Sequence, residues 1–175
     1  MEKTKFNERD RDHVISEIEA HMQVRLTRVG NYRKFLQDNA GRSYWVLGGY
    51  EDWHGITSSM MEDEIRRDTD GVLVVAKRHK TSIAIFHGPL RPLVAARRDL
   101  SHTQTGDYQF NVASRGSSLV IKEVLGLTLR RLGDPQDVGR PVTAEATKLE
   151  ALVAKLSPDE RRRLLDRLAS DSKNG

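Results

Sequence analysis

This sequence of 175 residues contains no cysteine, few aromatic residues and no long apolar run. The absence of cysteine excludes disulfide bonds, thiolate zinc sites and a cysteine nucleophile. The apolar runs are far shorter than the roughly 20 residues that a membrane-spanning helix needs. The first residues are strongly charged and do not form the apolar core of a secretory leader. We therefore expect a cytoplasmic protein with no membrane partner.

Motifs with a specific chemistry are also missing. No glycine-rich loop has the spacing of a P-loop or of a dinucleotide-binding turn, and no HExxH zinc motif occurs. The histidines have no identifiable partner for general acid–base work. We therefore assign no catalytic residue, no metal ligand and no cofactor, and we leave open whether the protein is an enzyme.

The distribution of apolar residues predicts an α+β fold. The chain is long enough to bury a core of its own, and 37% hydrophobic residues is too many for a disordered chain. We predict a core domain over residues 1–132, a linker rich in proline and glycine over residues 133–142, and a C-terminal helical hairpin over residues 143–175. The core domain is expected to contain a largely antiparallel sheet of about six to seven strands with three helices.

The most apolar part of the chain predicts a buried β-hairpin. Val72–Lys77 shows little alternation of polar and apolar residues, which is typical of a strand that is covered on both faces. Ser82–His87 follows after a short basic segment and completes the hairpin. A helix is predicted over Leu90–Leu100, because Pro92 is tolerated in its first turn.

Other strands are predicted on both sides of this hairpin. Tyr32–Asp38 and Arg42–Gly48 flank a short glycine-containing loop and indicate a second hairpin, although the first segment could instead form a short helix. Asp107–Ala113 alternates cleanly and is typical of a half-exposed strand. Leu119–Val124 and Leu127–Leu132 would complete a meander.

Two further helices have recognisable starts. Asn7 precedes early acidic residues and favours a helix that continues to about residues 26–29, where Gly30 can adopt a left-handed stop. Thr57 or Ser58 caps the next helix, which has a charged outer face.

Positive charge is concentrated in the middle of the chain. Residues 1–70 contain 11 Lys or Arg against 14 Asp or Glu, residues 71–132 contain 10 against 3, and residues 133–175 contain 8 of each. Such an imbalance is an argument about partners and not about fold. It favours a surface that binds a polyanion, with the ordinary solubility of a basic surface as the alternative.

The preferred interpretation is a nucleic-acid-binding protein that contacts the phosphate backbone with the basic hairpin and the helix after it. Trp45 and other aromatic residues would stack on bases. Gln109, Asn111 and Lys122 suit contacts to base edges or sugars from an exposed strand. The predicted nucleic-acid-binding residues are Lys77, Arg78, His79, Lys80, Arg91, Arg97, Arg98, Arg115, Trp53 and Tyr108.

The loop Tyr50–Ile56 supports two other interpretations. As a purely structural loop, it would be anchored on the core by Tyr50 and Trp53, while Asp52 and His54 bond its backbone. As part of a metal-dependent nuclease or phosphodiesterase, Asp52 and His54 would act together with Asp70.

A third hypothesis is a non-catalytic assembly subunit. Leucines recur at helical spacing in the predicted C-terminal hairpin, and two helices of this size cannot bury such stripes alone. The hairpin would then dock on the core domain or form a homo-oligomer through residues 143–170.

Overall fold

The apolar middle of the chain forms the centre of a mixed α+β fold, as the sequence predicts. The computed structural model describes residues 6–134 and Ser157. Within that range it contains three α-helices and a sheet of ten strands, which is more strands than the six to seven predicted. Apart from Ser157, the predicted C-terminal hairpin and its oligomer contact lie outside the described residues.

The sheet follows a single path with one short branch. Its strands are β1 Thr27–Arg28, β2 Phe35–Gln37, β3 Ser43–Gly49, β4 Trp53–Ile56, β5 Val72–Arg78, β6 Ile83–Pro89, β7 Ser101–His102, β8 Tyr108–Arg115, β9 Ser118–Ile121 and β10 Thr128–Arg131. The order along the path is β1-β2-β3-β5-β6-β10-β9-β8-β4, and β7 pairs with β8 outside this path.

The pairing confirms both predicted hairpins and adds one parallel contact. β2 pairs antiparallel with β3, and β5 pairs antiparallel with β6. β3 and β5 run parallel, with Val46 beside Val74. Parallel neighbours need a long connection between them, and residues 50–71 provide it. The sheet is therefore largely antiparallel, with one parallel pair at its centre.

The strands that the sequence did not predict are short. β1 and β7 have two residues each, and β4 has four. β4 has the sequence Trp-His-Gly-Ile, in which one glycine interrupts a very short run. It is a strand because β8 pairs with it, and Trp53 lies opposite Asn111.

The three helices are α1 Glu8–Met22, α2 Ser58–Arg67 and α3 Arg91–Ala95. Asn7 caps α1 in a reciprocal capping box with Asp10, and Thr57 caps α2. The prediction that α1 continues to residues 26–29 is wrong. The helix ends at Met22 because Gln23, and not Gly30, takes the left-handed C-cap position with a φ of 54°.

The helix predicted over Leu90–Leu100 is also shorter than expected. α3 ends at Ala95, and a 3₁₀ turn over Arg97–Asp99 follows. Leu100 is buried and has extended backbone angles, which lead the chain directly into β7. The burial of Leu100 and the pairing of β7 therefore decide where this helix ends.

Two apolar clusters lie on the two faces of the central strands. One contains Val14 and Ile18 of α1, packed over alternate residues of β3 and β5. The other contains Met60 and Met61 of α2 together with Phe110 of β8, packed against the opposite residues of the same strands. Residues Val72, Leu73, Val74, Val75 and Ala76 are all buried, which confirms that this strand is covered on both faces.

Candidate nucleic-acid interface

The predicted nucleic-acid-binding residues lie at several separate places. Lys77 and Arg78 end β5, and His79 and Lys80 are exposed in the turn after it. α3 follows β6, whose last residue pairs with the first residue of β5. The basic turn and the arginines around α3 are therefore at opposite ends of a seven-residue strand, separated by about 20 Å.

The two cations at the end of β5 are already paired with carboxylates. Lys77 contacts Asp52, and its side chain is only 12% exposed. Arg78 contacts Asp10 of α1 and donates from Nε to the Tyr50 hydroxyl at 3.1 Å. These two ion pairs connect the end of the strand to its neighbours, whereas no ion pair within residues 6–134 involves Lys80 in the turn.

The arginines around α3 are also engaged in part. Arg91 lies 3.0 Å from Asp68 and 3.9 Å from Asp70. Arg97 donates to the carbonyl of Val94 at 3.2 Å, and Arg98 is exposed. This end of the sheet therefore carries both positive and negative side chains and is not a simple basic surface.

The orientation predicted for the loop Tyr50–Ile56 is wrong. Trp53 is 51% exposed and does not anchor the loop, whereas His54 is buried. The cause is the strand β4, since alternate residues of a strand face opposite sides and His54 and Ile56 both face the core. The carboxylate of Asp52 binds the Lys77 ammonium instead of the loop backbone.

His54 is a neutral buried side chain at neutral pH. Its ring lies 5.7 Å from the ring of Phe110, and its Nε2 has no hydrogen-bond partner within the described residues. Burial, assisted by the charges of Lys77 and Lys34, lowers the pKa of His54 to about 4. The hydrogen bond from Lys77, followed by its charge, lowers the pKa of Asp52. Asp52 is therefore fully ionised when His54 is neutral.

The acidic residues of the nuclease hypothesis lie apart. Asp52 contacts Lys77 at the end of β5, whereas Asp70 lies before the start of that strand. Within residues 6–134, no group of three or more His, Asp or Glu side chains could hold a metal ion. The geometry of these residues therefore offers no assembled metal centre for that chemistry.

Two lysines bind the edge of β4 that faces away from β8. Lys34 donates from Nζ to the carbonyl of Gly55 at 3.1 Å, and Lys77 donates to the carbonyl of Glu51 at 3.2 Å. Burial lowers the pKa of Lys34. These bonds connect β4 and the residue Glu51 before it to the start of β2 and the end of β5.

We call one face of β4 and β8 the outer face. The strand register places on it every second residue of β8 and the residues opposite them on the neighbouring strands. All of these residues are exposed or only half-buried, whereas the alternate residues Phe110 and Val112 are buried. The outer face consists of Gln109, Asn111, Ala113 and Arg115 of β8, Trp53 and Gly55 of β4, Ser101 of β7, Ser118 and Val120 of β9, and Lys122.

Trp53 is the main aromatic residue of the outer face. A Cβ atom added to Gly55 would lie 3.9 Å from Cζ3 of Trp53, so the indole leans along β4 over a residue that has no side chain. Asn111 lies directly across from Trp53 on β8, and Gln109 lies across from Gly55. The ring therefore rests on the sheet with half of its surface exposed.

Three cations share the face of Trp53 and lie toward β9 and β10. Lys122 follows β9 and donates its backbone N–H to the carbonyl of Asn111, while Arg115 ends β8. Arg130 of β10 faces the same side as Val120, since Val120 pairs with Thr128. Within the described part of the chain, no ion pair involves any of these three cations.

Only part of this surface was predicted. Trp53 and Arg115 were assigned to the nucleic-acid interface, and Lys122 was expected on an exposed strand, but Arg130 was not considered. The alternation of Leu129 with Thr128 and Arg130 would have indicated an outward arginine. Trp45 is fully buried and cannot stack on a ligand, so that expectation is wrong.

Tyr108 is not on the outer face. It is an even-numbered residue of β8, lies on the side of Phe110 and packs partly against the core. Its ring centroid is 4.8 Å from that of His102 on β7. Tyr108 and Trp53 therefore belong to different surfaces of the same strand pair.

No protein-family model, curated protein sequence or solved structure matches this chain at a significant level. None of the helices in residues 6–134 is long and apolar enough to span a membrane. What these residues define is a mixed α+β domain with an open sheet face that carries an exposed tryptophan and several cations.

Proposed function

We propose that this protein binds single-stranded nucleic acid on the outer face. The observation that supports this proposal is the exposed indole of Trp53, which leans over Gly55 on a sheet face that also carries cations. Tryptophan is enriched at interfaces because it combines a large apolar ring with a polar N–H group. Lys122 and Arg115 would contact the phosphates on either side of the stacked base.

Single strands fit this surface better than duplexes. The bases of a duplex are stacked on one another and do not present a free aromatic face, whereas an unpaired base can stack on a side chain. Sheets that bind single strands combine such stacking residues with cations that follow the backbone. The outer face offers both, and its polar residues Gln109 and Asn111 lie next to the indole.

This proposal places the contact away from the predicted basic hairpin. Lys77 and Arg78 are bound to carboxylates, whereas the cations of the outer face have no such partner in residues 6–134. Of the ten residues first predicted, Trp53 and Arg115 belong to the proposed surface. Among the other cations of the middle segment, Arg78 connects β5 to α1 through Asp10.

Replacement of Trp53 tests the proposal. Titration with fluorescently labelled DNA and RNA strands of about 15 nucleotides measures the dissociation constant at a fixed salt concentration. Trp53→Ala should weaken binding by about 5-fold to 100-fold, because one stacked base contributes about 1–3 kcal/mol. Ile65→Ala, which removes an exposed apolar side chain from α2, is the control and should leave the dissociation constant unchanged. Equal affinity of wild type and Trp53→Ala overturns the proposal.

A salt titration tests the assignment of the cations. The logarithm of the association constant should fall linearly with the logarithm of salt concentration, by about 0.7 for each phosphate contact to a single strand. Lys122→Ala and Arg115→Ala should each reduce that slope by about 0.7. Arg25→Ala removes an exposed cation between α1 and β1 and should leave the slope unchanged. A slope that none of these variants alters contradicts the assignment.

A further inference from the structure

Asn111 is the closest polar neighbour of Trp53 on the next strand. The backbone N–H of Val112 donates to the carbonyl of Asp52 at 2.7 Å, so these two residues form a hydrogen-bonded pair of the antiparallel ladder. Trp53 and Asn111 are then the adjacent pair without backbone bonds, in which side chains come closest, with Cβ atoms about 4.5–5.5 Å apart. A base stacked on the indole would have both Asn111 and Gln109 along its edge, since the ring leans over Gly55, which lies across from Gln109.

Glu123 holds the amide of Asn111 in one orientation. Nδ2 of Asn111 donates to Oε1 of Glu123 at 2.6 Å, and the backbone N–H of Asn111 donates to Oε2 at 2.8 Å. An ionised carboxylate has no proton to donate, so it must face the NH₂ group and not the oxygen of the amide. The amide oxygen Oδ1 therefore points away from Glu123 as a hydrogen-bond acceptor.

A fixed acceptor beside the stacked base separates adenine and cytosine from thymine and uracil. Adenine and cytosine carry an exocyclic amino group, which donates hydrogen bonds, where thymine and uracil carry the acceptor O4. The single ring N–H of uracil lies between two carbonyl oxygens, which weaken the hydrogen bond that it can donate to the oxygen of Asn111. An amino group makes a hydrogen bond at this place, whereas a carbonyl leaves two acceptors facing each other.

We propose that the outer face prefers adenine and cytosine to thymine and uracil, that Asn111 makes the distinguishing contact, and that Glu123 acts as a positioning residue. This inference rests on the proposed function, since it assigns the class of base that the same surface accepts. It concerns the ratio of two affinities and not their absolute size, which makes the two proposals separable by experiment.

Oligonucleotides of deoxycytidine and deoxyuridine, about 15 nucleotides long, provide the test. Both pyrimidine rings stack on the indole in a similar way and differ at the edge that would face Asn111. Wild-type protein should bind the cytosine strand about 3-fold to 10-fold more tightly, the range of one neutral hydrogen bond. Asn111→Ala removes the acceptor and should bring this ratio close to one.

Glu123→Gln tests the positioning role. A glutamine amide both donates and accepts, so it no longer dictates which end of the Asn111 amide faces outward. The ratio of the two affinities should fall toward one, even though removal of a negative charge tends to strengthen binding to both strands. Glu62→Gln removes one exposed acidic charge on α2 and should keep the wild-type ratio.

The outcomes separate the two proposals. If the wild type binds neither strand, the proposed function fails and the base preference fails with it. If it binds both strands equally, or prefers uracil, the preference is overturned while nucleic-acid binding stands. A preference for cytosine that survives in Asn111→Ala also overturns the inference, because another residue must then make the distinction.

Discussion

The two halves of the sheet differ in how many of their faces are covered. β5 is packed between α1 on one side and α2 with β8 on the other, and Val72–Ala76 is buried throughout. β8 is packed on one side only, and its residues alternate between buried and accessible. The difference extends to charge, since the cations that end β5 have acidic partners, whereas within residues 6–134 no ion pair involves Arg115 or Lys122 of the outer face. The proposed binding surface therefore lies where the coverage of the sheet ends.

Trp45 lies in the covered half of the sheet and Trp53 in the half-exposed one. Replacing them should give the largest predicted difference in the free energy of unfolding. Trp45 is fully buried, so Trp45→Ala should lower the free energy of unfolding by about 3–5 kcal/mol. Trp53→Ala should change it by less than about 1 kcal/mol, because half of that side chain is already exposed. Urea denaturation followed by circular dichroism measures both. If Trp45→Ala does not fold, Trp45→Phe gives the ranking, and equal losses at the two positions would contradict the comparison.

Protonation of His54 should make the free energy of unfolding depend on pH. His54 has a pKa near 4 in the folded protein and near 6.5 when unfolded, so the unfolded chain binds an additional proton between these values. The free energy of unfolding should be fully retained above about pH 6.5 and should fall by up to about 3 kcal/mol as the pH approaches 4. Because carboxylates titrate in the same range, the relevant quantity is the difference between wild type and His54→Phe. His13→Asn, at an exposed position of α1, is the control. If the free energy of unfolding changes with pH in the same way in wild type and His54→Phe, His54 does not cause this pH dependence.

Breaking the ion pair between Arg78 and Asp10, at the end of β5, should lower the free energy of unfolding by a smaller amount. Arg78→Leu leaves the carboxylate of Asp10, whose side chain is 9% exposed, without its cation. We expect a loss of about 2 kcal/mol, since Asp10 keeps the backbone N–H of Asn7 as a donor. Lys80→Ala, two residues away in the exposed turn, should stay within about 0.5 kcal/mol of wild type. Similar losses for the two variants would mean that the pair contributes no more than an exposed charge.

The patterns that depend on neighbouring residues were predictable. The lack of alternation in Val72–Lys77 indicated a strand buried on both faces, and the alternation in Asp107–Ala113 indicated one that is half exposed. Both are confirmed. The caps at Asn7 and Thr57 were recognised because a cap is made by residues within one turn of each other. The end of α1 at Met22 was missed because a glycine was expected at the left-handed C-cap position, which Gln23 occupies instead.

The candidate site was predicted only in part, for a physical reason. The excess of positive charge in residues 71–132 is a property of the sequence, but charge counts do not show which cations meet carboxylates from distant segments. Arg78 and Asp10 are 68 residues apart in the chain, and Lys77 and Asp52 are 25 apart. Their contacts exist only because α1 and the loop after β3 pack against the end of β5.

The amino-acid sequence by itself determined the helix starts, the two hairpins and the total charge of each segment, since these depend on residues close together in the chain. The tertiary structure decided that β4 is a strand, that Trp53 faces solvent while His54 faces the core, and that Asn111 lies opposite Trp53. A four-residue strand is too short to be specified locally, so its pairing with β8 decides which of its side chains face outward.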